Sequence, residues 1–166
     1  MTVEDGPDPQ DRLAADVGRS ADAAGVTLAV AESITGGRIA ARLAAAEGAS
    51  SWFRGAVVAY ASEVKHGVLG VAPGPVVSAP AAEQMAEGVR RVLGADVAVA
   101  VTGAGGPDPQ DGQPPGTVFL AVAGRGPVTV LQHELPGDPA TVCEQTEQLA
   151  LEQLLTRLTP QDGGAS

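Results

Sequence analysis

Three short runs, Thr27–Ala31, Ala56–Tyr60 and Asp96–Val101, are apolar at most positions rather than at every second one. A strand of that kind has both faces buried, which happens where helices cover both sides of a sheet. Around the runs the spacing becomes helical. Leu13, Val17 and Ala21 precede the first, an alanine-rich stretch from Arg38 to Ala46 follows it, and Met85, Val89 and Val92 precede the third. The expected helices cover Asp11–Ala24, Arg38–Ala46, Ala61–Leu69 and Ala81–Leu93, the last with Pro80 in its first turn. Two further strands, Gly116–Ala123 and Val128–Leu135, flank Gly124-Arg125-Gly126 and predict a hairpin, and a final helix spans Asp138–Leu158. Alternating strands and helices that end in a hairpin predict an α/β fold, a three-layer α/β/α sandwich with a mixed sheet. The expected organisation is one domain over 11–159, between disordered tails at 1–10 and 160–166.

Charge and composition narrow the function classes. The net charge of −10 argues against nonspecific nucleic-acid binding. No run is long enough for a membrane span, and the polar, acidic start does not read as a signal peptide, so a cytoplasmic protein is expected. Aromatics make up only 2% of the chain, so the core must be built from Ala, Val and Leu. The single cysteine, Cys143, allows no intrachain disulfide, and its place in the last helix predicts inert packing. Ten residues are Lys or Arg, and only Lys65 is lysine. Lysine loses its proton when desolvated, whereas arginine does not. The only tyrosine, Tyr60, lies five residues earlier, at a strand end, so the two can face one site.

The first strand runs into Glu32-Ser33-Ile34-Thr35-Gly36-Gly37 and then a helix. Ligands of α/β sheets gather at such turns, and the N–H groups of a helix start suit a phosphate or a developing oxyanion. Ser33 is placed as a nucleophile and Thr35 as a cap or phosphate ligand; alternatively, both only cap the helix. Thr102-Gly103-Ala104-Gly105-Gly106 forms a second glycine-rich strand end, and Ser50 lies in a turn with Trp52 and Phe53. The glycine loop is no dinucleotide fingerprint, because Asp108 stands where the third glycine belongs, and there is no Gly-Lys-Ser/Thr of a P-loop. His66 and His133 have no metal-ligand spacing with Cys143 or a carboxylate, so neither a metal nor a cofactor is expected. Ser33 also lacks a G-x-S-x-G elbow. What is left is a serine activated by lysine, with Tyr60 relaying a proton and glycine-turn amides holding the oxyanion, the chemistry of an amide or ester hydrolase.

The ordered set Ala31-Glu32-Ser33-x-Thr35-Gly36-Gly37, Trp52-Phe53, Tyr60-x-x-x-x-Lys65-x-x-x-Leu69-Gly70-Val71, Met85-Ala86-x-Gly88, Thr102-Gly103-x-x-Gly106-Pro107, Gly116-Thr117-Val118 and Pro136-Gly137-Asp138 covers roughly residues 13 to 155. In it the chain resembles the C-terminal domain of the CinA (competence/damage-inducible) family, whose standalone form is the PncC-type nicotinamide mononucleotide deamidase. The resemblance implies hydrolysis of the carboxamide of nicotinamide mononucleotide, with Ser33 as nucleophile and Tyr60 and Lys65 as its activating partners. It implies substrate contacts from Thr35, Gly36, Gly37, Ser50, Thr102, Gly103, Gly106 and the position of Gln113. It further implies a homodimer or larger homo-oligomer, and a small nucleotide as the only other partner. The chain departs from the family at Ile34, where cysteine is usual, at Gln113, where lysine is usual, and at Pro139, where arginine is usual. The last two remove cations that would meet a phosphate. A non-catalytic nucleotide-binding or interaction protein is the alternative reading.

Overall fold

A computed structural model of the protein describes residues 6–160. In chain order the elements are α1 (Pro9–Ala24), β1 (Leu28–Glu32), α2 (Arg38–Ala44), α3 (Ala49–Trp52), β2 (Phe53–Val58), α4 (Ser62–Gly67), α5 (Ala79–Leu93), β3 (Val97–Gly103), β4 (Thr117–Ala123), β5 (Thr129–Glu134) and α6 (Pro139–Leu158). The five-stranded sheet has the order β2-β1-β3-β4-β5. β1 pairs parallel with β2 and with β3, while β4 and β5 are antiparallel additions. The sheet is thus mixed, as the hairpin after the third run implies, and helices lie on both of its faces.

Side-chain size is sorted by face along the strands. Ala29, Ala31, Ala98, Ala100, Ala121 and Ala123 point to one side, with Met85, Ala86 and Val89 of α5. Leu28, Val30, Val97, Val99, Val101, Leu120 and Val122 point to the other, with residues of α1, α2, α3 and α6. Strand residues alternate faces, so a repeated Ala-Val pattern makes one flat face and one bulky face. Helix α5 therefore sits low on the alanine face. It also approaches the chain after α4 closely, since a Cβ added at Gly88 would lie 2.0 Å from the Leu69 carbonyl oxygen.

Several boundaries differ from expectation. Pro9 and Gln10 already belong to α1, which the Asp8 carboxylate caps by accepting from Gln10 N at 2.9 Å, so the N-terminal tail is shorter than 1–10. Residues 1–5 and 161–166 of the expected tails lie outside the described residues. β2 starts at Phe53 and ends at Val58, and as an edge strand it is only half-buried, not the enclosed strand its composition suggests. The turn before it closes into the single helical turn α3. Val92 is 48% exposed, off the buried stripe of Met85 and Val89.

Candidate active site

Parallel strands end on the same side of a sheet, and the loops leaving those ends converge. Here the loops after β1, β2 and β3 bring Ser33, Tyr60 and the Gly103–Gln110 segment around one open cavity of about 390 Å³. Pro139 and Cys143 of α6 complete its wall. Ser33 is 5% exposed, and its hydroxyl makes no hydrogen bond with another described residue. Tyr60 is 74% exposed. Outside the strands, the backbone amides of Ile34, Gly105 and Gly106 have no intramolecular acceptor among the described residues, so they are available as hydrogen-bond donors at the wall.

The helix start beside Ser33 is not the open anion seat expected of it. Glu32, wholly buried at the end of β1, turns its carboxylate onto the N-terminus of α2. Its Oε1 accepts from Ile39 N at 3.0 Å and its Oε2 from Ala40 N at 2.9 Å. The dipole and the orphan amides are thereby satisfied from within. Neither Ser33 nor Thr35 caps the helix: the N-cap is Gly37, which has no side-chain cap bond. Gly36 and Gly37 take left-handed φ values of 59° and 108°, which lets the chain fold back in so few residues. Thr35 is buried, with its hydroxyl unpaired. Glu32 went unassigned at the sequence level, although a charge closing an apolar strand seven residues before Ile39 is a readable signal. Replacing Glu32 by alanine leaves one buried and one half-buried amide without an acceptor. We expect a loss of about 3–6 kcal/mol, two bonds to a charged group at about 1.5–3 kcal/mol each; thermal melting measures it, and Glu32→Gln should recover part of the loss.

Lys65 is 2% exposed and lies beneath Tyr60 rather than on the cavity wall. Its Nζ donates to the Ala59 carbonyl at 2.8 Å and the Tyr60 carbonyl at 3.3 Å. No hydrogen bond joins it to Ser33 among the described residues. Ala59 N in turn donates to the Glu32 carbonyl at 2.7 Å, so Lys65 is anchored to the strand end that carries Ser33. Burial pushes the ammonium below the ordinary lysine range, partly offset by the Asp111 carboxylate. A neutral amine has two hydrogens for the two carbonyls and keeps a lone pair to accept a proton. Asp111 Oδ2 also accepts from Val76 N at 2.9 Å and Val77 N at 3.0 Å, tying the 71–78 loop to the glycine loop.

Other candidates fall elsewhere. Gly103 and Gly106 lie on the wall; Thr35, Gly36 and Gly37 shape the turn behind Ser33 and do not line the cavity. Thr102 is buried and donates its hydroxyl to the Val76 carbonyl at 2.7 Å, holding a loop rather than reaching the cavity. Ser50, in α3 just before β2 begins, lies at the opposite end of the parallel strands from Ser33, so it does not reach this cavity within one chain. Gln113 bridges Gln110 through backbone bonds, and Gln110, not Gln113, lines the cavity. Cys143 lines the cavity, and its thiol donates to the Ile34 carbonyl at 3.1 Å. Burial raises its pKa, so it serves as a protonated donor rather than as a thiolate. One turn on, Glu147, 1% exposed, accepts from Arg38 Nε at 3.3 Å and Arg42 Nε at 2.7 Å. Cys143 and Glu147, four residues apart, tie α6 to the Ser33 loop and to α2.

The chain is similar to known proteins. A family model described as the CinA C-terminal domain matches residues 10–158. A CinA-like protein of Frankia casuarinae is 49% identical over 117 residues, covering 68% of this chain and 27% of the relative. A putative competence-damage inducible protein of Desulforamulus reducens is 43% identical over 140 residues, 81% of this chain and 34% of the relative. The chain thus spans about a third of the length of these curated relatives. The crystal structure of the competence damage-inducible protein A of Klebsiella pneumoniae superposes with a TM-score of 0.87 at 34% identity, covering 91% of this chain and 98% of that one.

Proposed function

This chain belongs to the CinA C-terminal domain family, and from that membership we propose that it is a serine amidohydrolase that deamidates nicotinamide mononucleotide to nicotinate mononucleotide and ammonia. The observation that carries the reading is the convergence of Ser33, Tyr60 and unbonded loop amides on one cavity, with the buried Lys65 held to the Tyr60 backbone and its pKa lowered by burial. Ser33 Oγ attacks the carboxamide carbon. Its proton passes through the Tyr60 phenol towards Lys65, and amides at the wall receive the oxyanion. The C–N bond then breaks as the same relay returns a proton to the departing nitrogen, which leaves as ammonia. Water cleaves the resulting ester, releasing the carboxylate and restoring Ser33. Assembly into a homodimer or larger homo-oligomer, and a cytoplasmic location, belong to the same proposal.

The test is ammonia release by pure protein from nicotinamide mononucleotide, with the acid product identified by chromatography. Absence of turnover combined with measurable nucleotide binding would instead support the non-catalytic reading.

A further inference from the structure

Lys65 is 2% exposed, and both of its hydrogen bonds go to neutral carbonyls, those of Ala59 and Tyr60. When the Ser33 proton reaches Nζ, the result is a buried ammonium. Such a charge is costly unless an opposite charge answers it. Among the described residues, Asp111 is the one charged group that acts on Lys65. The other ionisable groups around it are engaged or turned elsewhere. Glu32 keeps its carboxylate on the Ile39 and Ala40 amides, and His66 is held at the Val71 carbonyl, 2.8 Å from Nδ1. Glu63, on the same helix as Lys65, is exposed, and Asp108 lies on the cavity wall. The segment 71–78 contains no ionisable residue.

Asp111 is also fixed in place. Its backbone takes φ 51°, in the left-handed region that Asp and Asn tolerate better than most residues. Its Oδ2 accepts from the amides of two buried residues, Val76 at 2.9 Å and Val77 at 3.0 Å. The Thr102 hydroxyl holds Val76 as well, donating to its carbonyl at 2.7 Å. At the start of the same segment, Val71 N donates to the Lys65 carbonyl at 3.0 Å. One run of chain, 71–77, therefore begins on Lys65 and ends on Asp111. The loop that carries Asp111 also carries Gly105 and Gly106 of the cavity wall, whereas Asp111 itself does not line the cavity. We propose that Asp111 is a positioning residue of the relay: its carboxylate is the counter-charge of the Lys65 ammonium and latches the cavity loop to the 71–77 segment. The catalytic consequence rests on the amidohydrolase reading of the site; the pairing of the two residues does not. Asp111 stabilises Lys65 while Nζ holds the Ser33 proton, and the amine is neutral again once that proton passes to the departing nitrogen.

Lys65 is the only lysine, so protein grown on lysine labelled with carbon-13 at Cε gives a single side-chain signal. Its shift against pH titrates Lys65 directly and needs no turnover. Two variants separate charge from latch. Asp111→Asn keeps an oxygen for both valine amides and suits the left-handed backbone, so it removes only the charge. Asp111→Gly removes the side chain without straining that backbone. A carboxylate favours the protonated amine, so in Asp111→Asn the Lys65 signal should titrate at lower pH than in the parent. The acid limb of kcat for ammonia release should move the same way, and plateau kcat should fall several-fold with KM unchanged. In Asp111→Gly kcat should fall by about a further tenfold, from misplacement of the wall. Hydrogen exchange at the Val76 and Val77 amides should be slow in the parent and in Asp111→Asn, and fast in Asp111→Gly. A Lys65 titration that is unmoved or raised in Asp111→Asn overturns the counter-charge, whether or not ammonia is released. Slow exchange at both valines in Asp111→Gly overturns the latch. A lowered titration in a protein that releases no ammonia overturns the amidohydrolase reading and leaves the Asp111–Lys65 pair standing.

Discussion

Ser33→Ala protein is expected to release ammonia more slowly than the parent by a factor on the order of 10³ or more, the scale seen when a serine nucleophile is removed. The side chain is small, packs no core and forms no hydrogen bond with the rest of the described chain, so little stability goes with it. Melting temperature should stay within a degree or two, and substrate binding should survive. That pairing of lost turnover with kept folding separates a nucleophile from a structural serine. Near-parental turnover would move the chemistry elsewhere. Ser50 does not take over the role within one chain, because it lies at the far end of the parallel strands.

Lys65 gives the second large effect. Lys65→Met keeps the volume of the buried side chain but deprives the Ala59 and Tyr60 carbonyls of their donor. We expect a stability loss of about 1–3 kcal/mol and a fall in kcat of about 10²–10⁴, the range of general acid–base catalysis. Lys65→Arg should be nearly as inactive, since it restores charge without a removable proton. Substantial rescue by arginine would make Lys65 a counter-charge instead of a base.

The pH dependence has a definite sign. Burial lowers the folded-state pKa of Lys65, so between the folded and unfolded values the unfolded chain holds the proton more tightly. The buried charge therefore costs stability most fully below the folded pKa. That cost is relieved as pH rises from the folded pKa towards the unfolded one. Activity that needs the neutral amine should climb through the same depressed pKa, and the climb should vanish in Lys65→Met.

The fold was legible because its strands are marked twice, once by apolar runs and again by glycine turns where they end. The alternation of small and large residues that sets α5 close to the sheet is likewise present in the letters. The edge position of β2 was not, because an apolar run does not say whether a neighbour lies on both sides. At the site, the turn holding Ser33 was visible, but its electrostatics were not. Whether a helix start is open depends on where one carboxylate points, and Glu32 points inward. That Cys143 faces the Ser33 loop was not legible for a similar reason: a helix position gives a face only once the partner loop is placed. The hexapeptide Gly-Pro-Asp-Pro-Gln-Asp shows the limit most plainly. At 6–11 it starts α1, with Asp8 as cap, whereas at 106–111 it forms the cavity loop and its last residue takes φ 51°. The same six residues take two shapes because Gln10 reaches the Glu144 carbonyl of α6 while Asp111 binds the amides of Val76 and Val77.

The single tryptophan sits on Gly18 of α1, so tightly that a Cβ added there would lie 2.6 Å from Trp52 Cζ2, and it precedes the first residue of β2. Its indole is 2% exposed, at the end of the parallel strands away from Ser33. The chain therefore carries its only strong fluorophore in a place blind to the cavity. Emission should be that of a shielded indole and should shift to the red when α1 comes off the sheet. It should stay unquenched by a pyridinium ligand that saturates the site. An optical signal of that kind reads folding at one end of the molecule independently of chemistry at the other, so a variant that empties the site and one that loosens the fold can be told apart in the same cuvette.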